Sequence, residues 1–168
     1  AETTLSGWLP TMAIRRAGAH SGVEALPLSA YWGAMMVGRG LAMVLLRRYS
    51  VARLMRILLV GAPLAAASLA LAPSTMAIAI CAMLAGLFFG PIFPNVISAL
   101  QAAFPAEARR LGPPVFAAAS AGGAFVPWVA GLASASSTDV RVILGPALVC
   151  LVAMAPAWAS VKRQAGLR

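Results

Sequence analysis

Residues 75–104 read TMAIAICAMLAGLFFGPIFPNVISALQAAF, thirty residues without a single charge. As one straight helix at 1.5 Å per residue the stretch would reach about 45 Å, beyond the ~30 Å hydrocarbon core of a bilayer. Pro91 and Pro94 are expected to kink it, and its far end is expected to run along the membrane interface. No charge-free stretch of this length suits the surface of a soluble domain, so the chain is read as an all-α, polytopic transmembrane helix bundle.

The rest of the chain agrees. Working outward, the apolar segments are Ala1–Ile14, about Ala25–Leu46, roughly Ile57–Ala72, Thr75–Phe104, about Leu111–Ala135 and about Val142–Val161. The first is too short to cross and reads as the far half of a span, closed by Arg15 and Arg16; the other five are complete. Hydrophobic residues make up 61% of the 168, charged residues only 10%, and the mean hydropathy is +0.89. A soluble domain is nearer 45–50% apolar and about 25% charged. A soluble enzyme, a disordered tail and a disulfide scaffold are thereby set aside. The sequence opens at Ala1 inside a half-length apolar stretch, so it is expected to start within a longer chain.

The net charge of +9, from 13 basic and 4 acidic residues, marks topology and not nucleic acid, because the basic residues lie between apolar stretches and form no stripe of their own. With the C-terminus cytoplasmic, Arg39, Arg47, Arg48, Arg53, Arg56, Arg109, Arg110, Lys162, Arg163 and Arg168 lie inside, and Arg15, Arg16 and Arg141 outside. That orientation is expected, in a cell inner membrane. His20 falls in an outside loop. Cys81 and Cys150 sit in apolar runs with no second ligand at metal spacing and read as small buried hydrophobes; no metal and no cofactor are expected.

The spans differ in polarity. The first, second, fourth and fifth carry Glu2, Ser6, Trp8, Tyr31, Trp32, Asn95, Ser98, Gln101, Ser120 and Trp128, and are expected to line an interior or an aqueous cavity. The plainer third and sixth are expected against lipid. The first and fourth each hold a proline-broken polar stretch, at Pro10 and at Pro91–Pro94. The third and sixth share an echo, Gly61-Ala-Pro-Leu64 and Gly145-Pro-Ala-Leu148. A period of three spans gives an inverted three-plus-three helix repeat, as in transporter halves with broken helices at the cavity.

Four stretches, in order, resemble one family. ETTLSGWLPT (Glu2–Thr11) is similar to the Glu…Gly-Trp segment of a seventh helix. YWGAMMVGRGLAMVLLRR (Tyr31–Arg48) resembles an eighth helix running into its Gly-Arg…Arg turn. GLFFGPIFPNVIS (Gly86–Ser98) is similar to a tenth helix, and GPPVFAAASAGGAFVPWVAG (Gly112–Gly131) to an eleventh. The chain as a whole resembles the C-terminal six-helix half of a major facilitator superfamily transporter, closest to the fucose-permease-like sugar:proton symporter branch. On that resemblance residues 1–168 run from a partial helix seven to helix twelve and the N-terminal half is absent. One departure stands out: the turn Val37-Gly-Arg-Gly40 lacks the acid of the superfamily's Asp-Arg pair.

Each candidate residue has a functional and a plain reading. Glu2, the only carboxylate within a span, is a proton-coupling candidate, since desolvation raises a carboxyl pKa toward neutrality; as a residue at the chain's end it would merely cap a helix. Asn95 and Ser98, at i and i+3 beside Pro94, are substrate-binding candidates suited to sugar hydroxyls, or else interhelical glue. Trp32, Tyr31 and Trp128 could stack on sugar faces, or anchor the interface. Arg39 either snorkels to the headgroups or pairs with Glu107 across a cytoplasmic gate. Arg47 and Arg48, with Arg53 and Arg56, fix topology. Gly86 and Gly90 form a GxxxG pair suited to close helix packing.

A secondary transporter follows as the expected function, moving a sugar or similar small polar solute by alternating access with proton coupling. The expected partners are the solute, protons, the lipid bilayer and the missing N-terminal half. Two alternatives stand beside it: a drug or metabolite efflux antiporter, which Phe88, Phe89 and Phe93 would suit, and a truncated membrane fragment without transport of its own. An intramembrane enzyme is not expected, because the spans hold no His, no paired Asp and no Gly-x-Ser-x-Gly.

Overall fold

A computed structural model describes residues 1–20, 22–137 and 139–164, the side chains of 108, 140 and 162–164 excepted. The described residues form α-helices without a strand: α1 (Glu2–Ala17), α2 (Leu26–Leu45), α3 (Val51–Ser68), α4 (Thr75–Phe89), α5 (Ile92–Ala103), α6 (Ala108–Ala135) and α7 (Leu144–Gln164), with a short 3-10 helix (Val140–Ile143) before the last. Five segments are long and apolar enough to cross a membrane: Leu26–Leu45, Val51–Ser68, Thr75–Ala103, Arg109–Ala135 and Arg141–Val161. The protein is thus an all-helical bundle of multi-pass membrane type. Of the tail cations counted as cytoplasmic, Arg168 and the side chains of Lys162 and Arg163 lie outside the described residues, as does Thr138.

Local chemistry sets the helix ends. α1 stops at Gly18, whose φ of 62° is left-handed; its N–H and that of Ala19 return to the carbonyls of Ile14 and Ala13, a glycine C-cap that only a residue without Cβ adopts at low cost. With 16 residues, α1 is about 24 Å long and short of a full crossing. Ser50 caps α3 by accepting the Arg53 N–H at 3.4 Å, and Ser74 caps α4 by accepting that of Ala77 at 3.2 Å. The Ser50 cap corrects the expected third span: the helix begins at Val51, six residues early, so Arg53 and Arg56 ride in its first two turns and not in a loop. α6 likewise starts at Ala108, taking up Arg109 and Arg110.

The thirty-residue stretch is interrupted at its prolines, with Gly90 and Pro91 keeping helical dihedrals, so that α4 and α5 follow one another as one broken span. α4 ends at Phe89, Gly90 and Pro91 form a turn, and α5 begins at Ile92. Pro94 falls in the first turn of α5, where a proline is tolerated because those N–H groups have no helical acceptor. Pro10 behaves differently: α1 passes through it unbroken. The glycine–proline echo does not hold register either, since Pro63 lies deep in α3 and Pro146 in the first turn of α7.

α2 and α4 form the most extensive helix pair. A Cβ at Gly86 would overlap the Tyr31 carbonyl, one at Gly90 the Met35 carbonyl, and one at Gly38 the Leu87 carbonyl. The two helices therefore touch backbone to backbone, the close packing expected of the Gly86/Gly90 pair. Around this seam the core holds Leu9, Met12, Met35, Met55, Ile78 and Leu151, all buried. Coverage is uneven among the spans. α3, expected against lipid, buries one face through Leu54, Met55, Leu58, Leu59, Ala62 and Ala65 and leaves Ile57, Val60 and Leu64 exposed on the other. α6, expected to line an interior, is the least covered of the candidate spans.

Candidate functional site

The break in the fourth span generates the site. In an α-helix the carbonyl of residue i accepts from the N–H of residue i+4. Proline has no N–H, so Pro94 leaves the Gly90 carbonyl without its helical donor and Pro91 does the same to Leu87. The Arg39 side chain from α2 replaces one of them: its Nε donates to the Gly90 oxygen at 3.2 Å, and Nη2 reaches the Met35 sulfur at 3.6 Å. The Leu87 oxygen faces Gly38, where the missing side chain lets the backbone approach. Elsewhere the pattern recurs. Thr3 Oγ1 donates at 3.0 Å to Gly123 O, the carbonyl that Pro127 leaves free. Arg16 Nη1 donates at 2.8 Å to Leu69 O in the turn after α3, an oxygen that also accepts the Ala72 N–H at 3.4 Å.

Beside the break lies a cavity of about 300 Å³ whose lining includes Arg39, Met43, Leu46, Pro94, Asn95 and Ser98. It runs from the break toward the C-terminal end of α2. Asn95, 3% exposed, belongs to the buried set, while Ser98 one turn on is exposed. The Asn95 Nδ2 is buried and has no hydrogen-bond partner. An amide acting as interhelical glue would show a bond to a neighbouring helix, and none is made among the described residues. An unpartnered buried amide costs about 1–3 kcal/mol.

Comparison with family models, with curated proteins and with solved structures gives no match in any of the three. The chemistry of the site therefore rests on this chain's own residues.

The structure gathers only part of the expected set. Asn95 and Ser98 share the cavity as their i, i+3 spacing requires. Tyr31 is fully buried on the α2–α4 seam, edge-on to Trp32 at 5.8 Å and tilted against Phe89 at 6.4 Å; its hydroxyl is unpartnered and no solute can reach the ring in this state. Trp32 and Trp128 are exposed and away from the cavity, Trp128 packing on Phe125. Glu2 is half-buried in the first turn of α1. Arg47 and Arg48 are exposed in the turn after α2, and Glu107 is exposed at the start of α6.

Among the described residues Arg39 pairs with no carboxylate, Glu107 included; the side chain is exposed, and its guanidinium bonds to the Gly90 carbonyl and the Met35 sulfur at the helix break. Among the described residues the one ion pair is Arg141 with Asp139 at 3.9 Å. Arg39 is thus the cavity residue that a topology reading misses. The arithmetic from Pro94 back four residues flags the orphan carbonyl, but the identity of its donor is a tertiary fact. No cluster of three metal-ligating side chains occurs among the described residues. His20 is exposed, and Cys81 and Cys150 are free and half-buried.

Proposed function

We propose that this chain is the C-terminal six-helix half of a major facilitator-type secondary transporter, moving a sugar or similar small polar solute by alternating access with proton coupling. One observation carries the substrate side: a buried, unpartnered Asn95 amide on the wall of a cavity at a proline-broken span. Broken spans free backbone groups, and in membrane proteins such irregular backbone is tolerated where it lines a cavity or is buried in protein. Arg39, Asn95 and Ser98 are the polar residues of a lining that is otherwise apolar, and they suit a solute that offers oxygen acceptors beside an apolar face, as a sugar does. An amphiphile would ask for a wall without charged, amide or hydroxyl side chains. Such a cavity exists, also about 300 Å³, between α3, α5, α6 and α7, with Leu59, Phe104, Met154 and Trp158 among its lining, and it keeps efflux of an apolar substrate as the second reading.

The inverted three-plus-three arrangement in this proposal rests on the count of spans and not on the proline echo, whose two copies sit out of register. The uncovered face of α6, with Phe116, Phe125 and Trp128 exposed, is where the other half would dock and close the cavity. Glu2, on α1 beside α6, is the coupling carboxylate of this scheme. The test uses the whole reading frame, expressed in cells without their own sugar uptake. Sugar accumulation should collapse with a protonophore. Glu2→Gln should abolish accumulation yet keep substrate exchange, because exchange bypasses reorientation of the empty, deprotonated carrier. Normal pH-driven accumulation by that variant would remove Glu2 from the mechanism; absence of any protonophore-sensitive sugar movement would overturn the transport assignment.

A further inference from the structure

The outer face of α3 has a pattern that the cavity at the helix break does not use and that topology draws on only for its two charges. Arg53, Arg56, Ile57, Val60 and Leu64 follow one another at helical spacing and are exposed, while the opposite face is buried. The two arginines sit in the first two turns, and everything beyond them on that face is apolar. Between this face and α4 runs an open groove of about 540 Å³ lined by Arg53, Arg56, Ile57, Val60, Gly61 and Phe88. Gly61 shapes it: a Cβ there would overlap the Phe88 ring, so the ring lies directly against the α3 backbone and forms the groove's far wall. A narrower apolar cleft of about 120 Å³ lies on the α2 side and shares Ile57 and Phe88 with the groove.

Charge and length together name the occupant. Neither guanidinium has a carboxylate partner among the described residues; Arg53 rests on the Tyr49 ring, 5.5 Å from its centroid, which holds it at the mouth of the groove. Three residues apart on a helix, the two side chains project from neighbouring positions and can grip one phosphate. From Arg53 to Leu64 the helix rises about 16 Å, close to half of the ~30 Å hydrocarbon thickness, the depth of a single leaflet. Either kind of lipid offers one phosphate whose two free oxygens can take both guanidiniums, but a zwitterionic headgroup brings a cation that the two arginines repel. An anionic headgroup brings none.

From this we infer that the α3–α4 groove is a binding site for an anionic glycerophospholipid, its phosphate on Arg53 and Arg56 and its acyl chains on either side of Phe88. The site is independent of which solute, if any, the chain carries.

The experiment is native mass spectrometry of the detergent-purified, delipidated chain titrated with phosphatidylglycerol or with phosphatidylcholine of the same acyl chains. Phosphatidylglycerol should bind at least tenfold tighter. The double variant Arg53→Gln/Arg56→Gln should weaken it roughly thirtyfold, which at 1.4 kcal/mol per tenfold is about 2 kcal/mol, or about 1 per arginine near the surface. Arg109→Gln/Arg110→Gln removes the same charge from the start of α6 and should change it less than threefold. Val60→Trp fills the groove while keeping both arginines and should also weaken binding. All three variants alter exposed positions, and circular dichroism checks that each stays helical. Equal affinity for the two lipids, or equal losses from the α3 and α6 charge pairs, would overturn the site in favour of non-specific attraction to a basic surface.

Discussion

At the scale of single residues, Asn95 is where energetics and function meet. Its amide is buried without a partner, so the apo protein already bears the cost of desolvating it. Asn95→Ala should therefore leave the melting temperature unchanged or slightly raised. If a solute oxygen satisfies the amide, affinity should fall by about 1–3 kcal/mol, tenfold or more. A solute titration and a melting curve on one purified preparation separate the outcomes. A lowered melting temperature with unchanged affinity would return Asn95 to packing, and Ser98 would lose its support with it. The spacing of Asn95 and Ser98 was legible in the sequence, because i and i+3 share a helix face wherever the helix is. The loss of Tyr31 from the set was not legible. Its ring and Trp32 are adjacent in sequence and equally aromatic, yet one turns into the α2–α4 seam and the other outward.

At the scale of elements, the organising rule is that prolines free carbonyls and neighbouring helices supply the missing donors. Gly90 and Gly123 each lose a helical donor to a proline four residues on, and Arg39 and Thr3 replace them. The rule gives a double-mutant cycle. Arg39→Leu should cost about 1–3 kcal/mol, because a carbonyl in an apolar setting is left unpaired. In a Pro94→Ala background the restored N–H can serve Gly90, and the same substitution should cost at least about 1 kcal/mol less. Thermal melts of the four proteins in one detergent measure the coupling; strictly additive losses would show that Arg39 stabilises the bundle in some other way. The break itself could be anticipated from Pro91 and Pro94. That the interruption falls at Gly90–Pro91, beside the seam where α2 approaches so closely that Gly38, Gly86 and Gly90 admit no side chain, is a tertiary fact.

At the scale of the whole molecule, the arginine distribution makes a labelling prediction. Ser136→Cys, after α6, should react with an impermeant thiol reagent added outside intact cells. Ala106→Cys, between α5 and α6, should react only after permeabilisation. Cys81 and Cys150 are first replaced by Ala so that neither contributes signal. The opposite pattern would invert the orientation and remove the basis for numbering the spans from a partial seventh to a twelfth. Composition and span length by themselves determined that the chain is an all-helical bundle with five segments able to cross a membrane, because transfer of an apolar stretch depends on its own length and polarity and hardly on its neighbours. Only the tertiary structure decided which faces meet. That α3 packs through Leu54, Met55, Leu58 and Leu59 while turning Ile57, Val60 and Leu64 outward, and that α6 is the least covered span, are facts of packing that polarity does not supply. Helix association in lipid is driven by backbone approach and packing of small residues more than by hydrophobicity, so a hydropathy pattern carries little information about partners. The Arg39–Gly90 contact spans fifty-one positions and joins two helices through a carbonyl that only a broken helix exposes. Such a pairing exists only once α2 and α4 have packed.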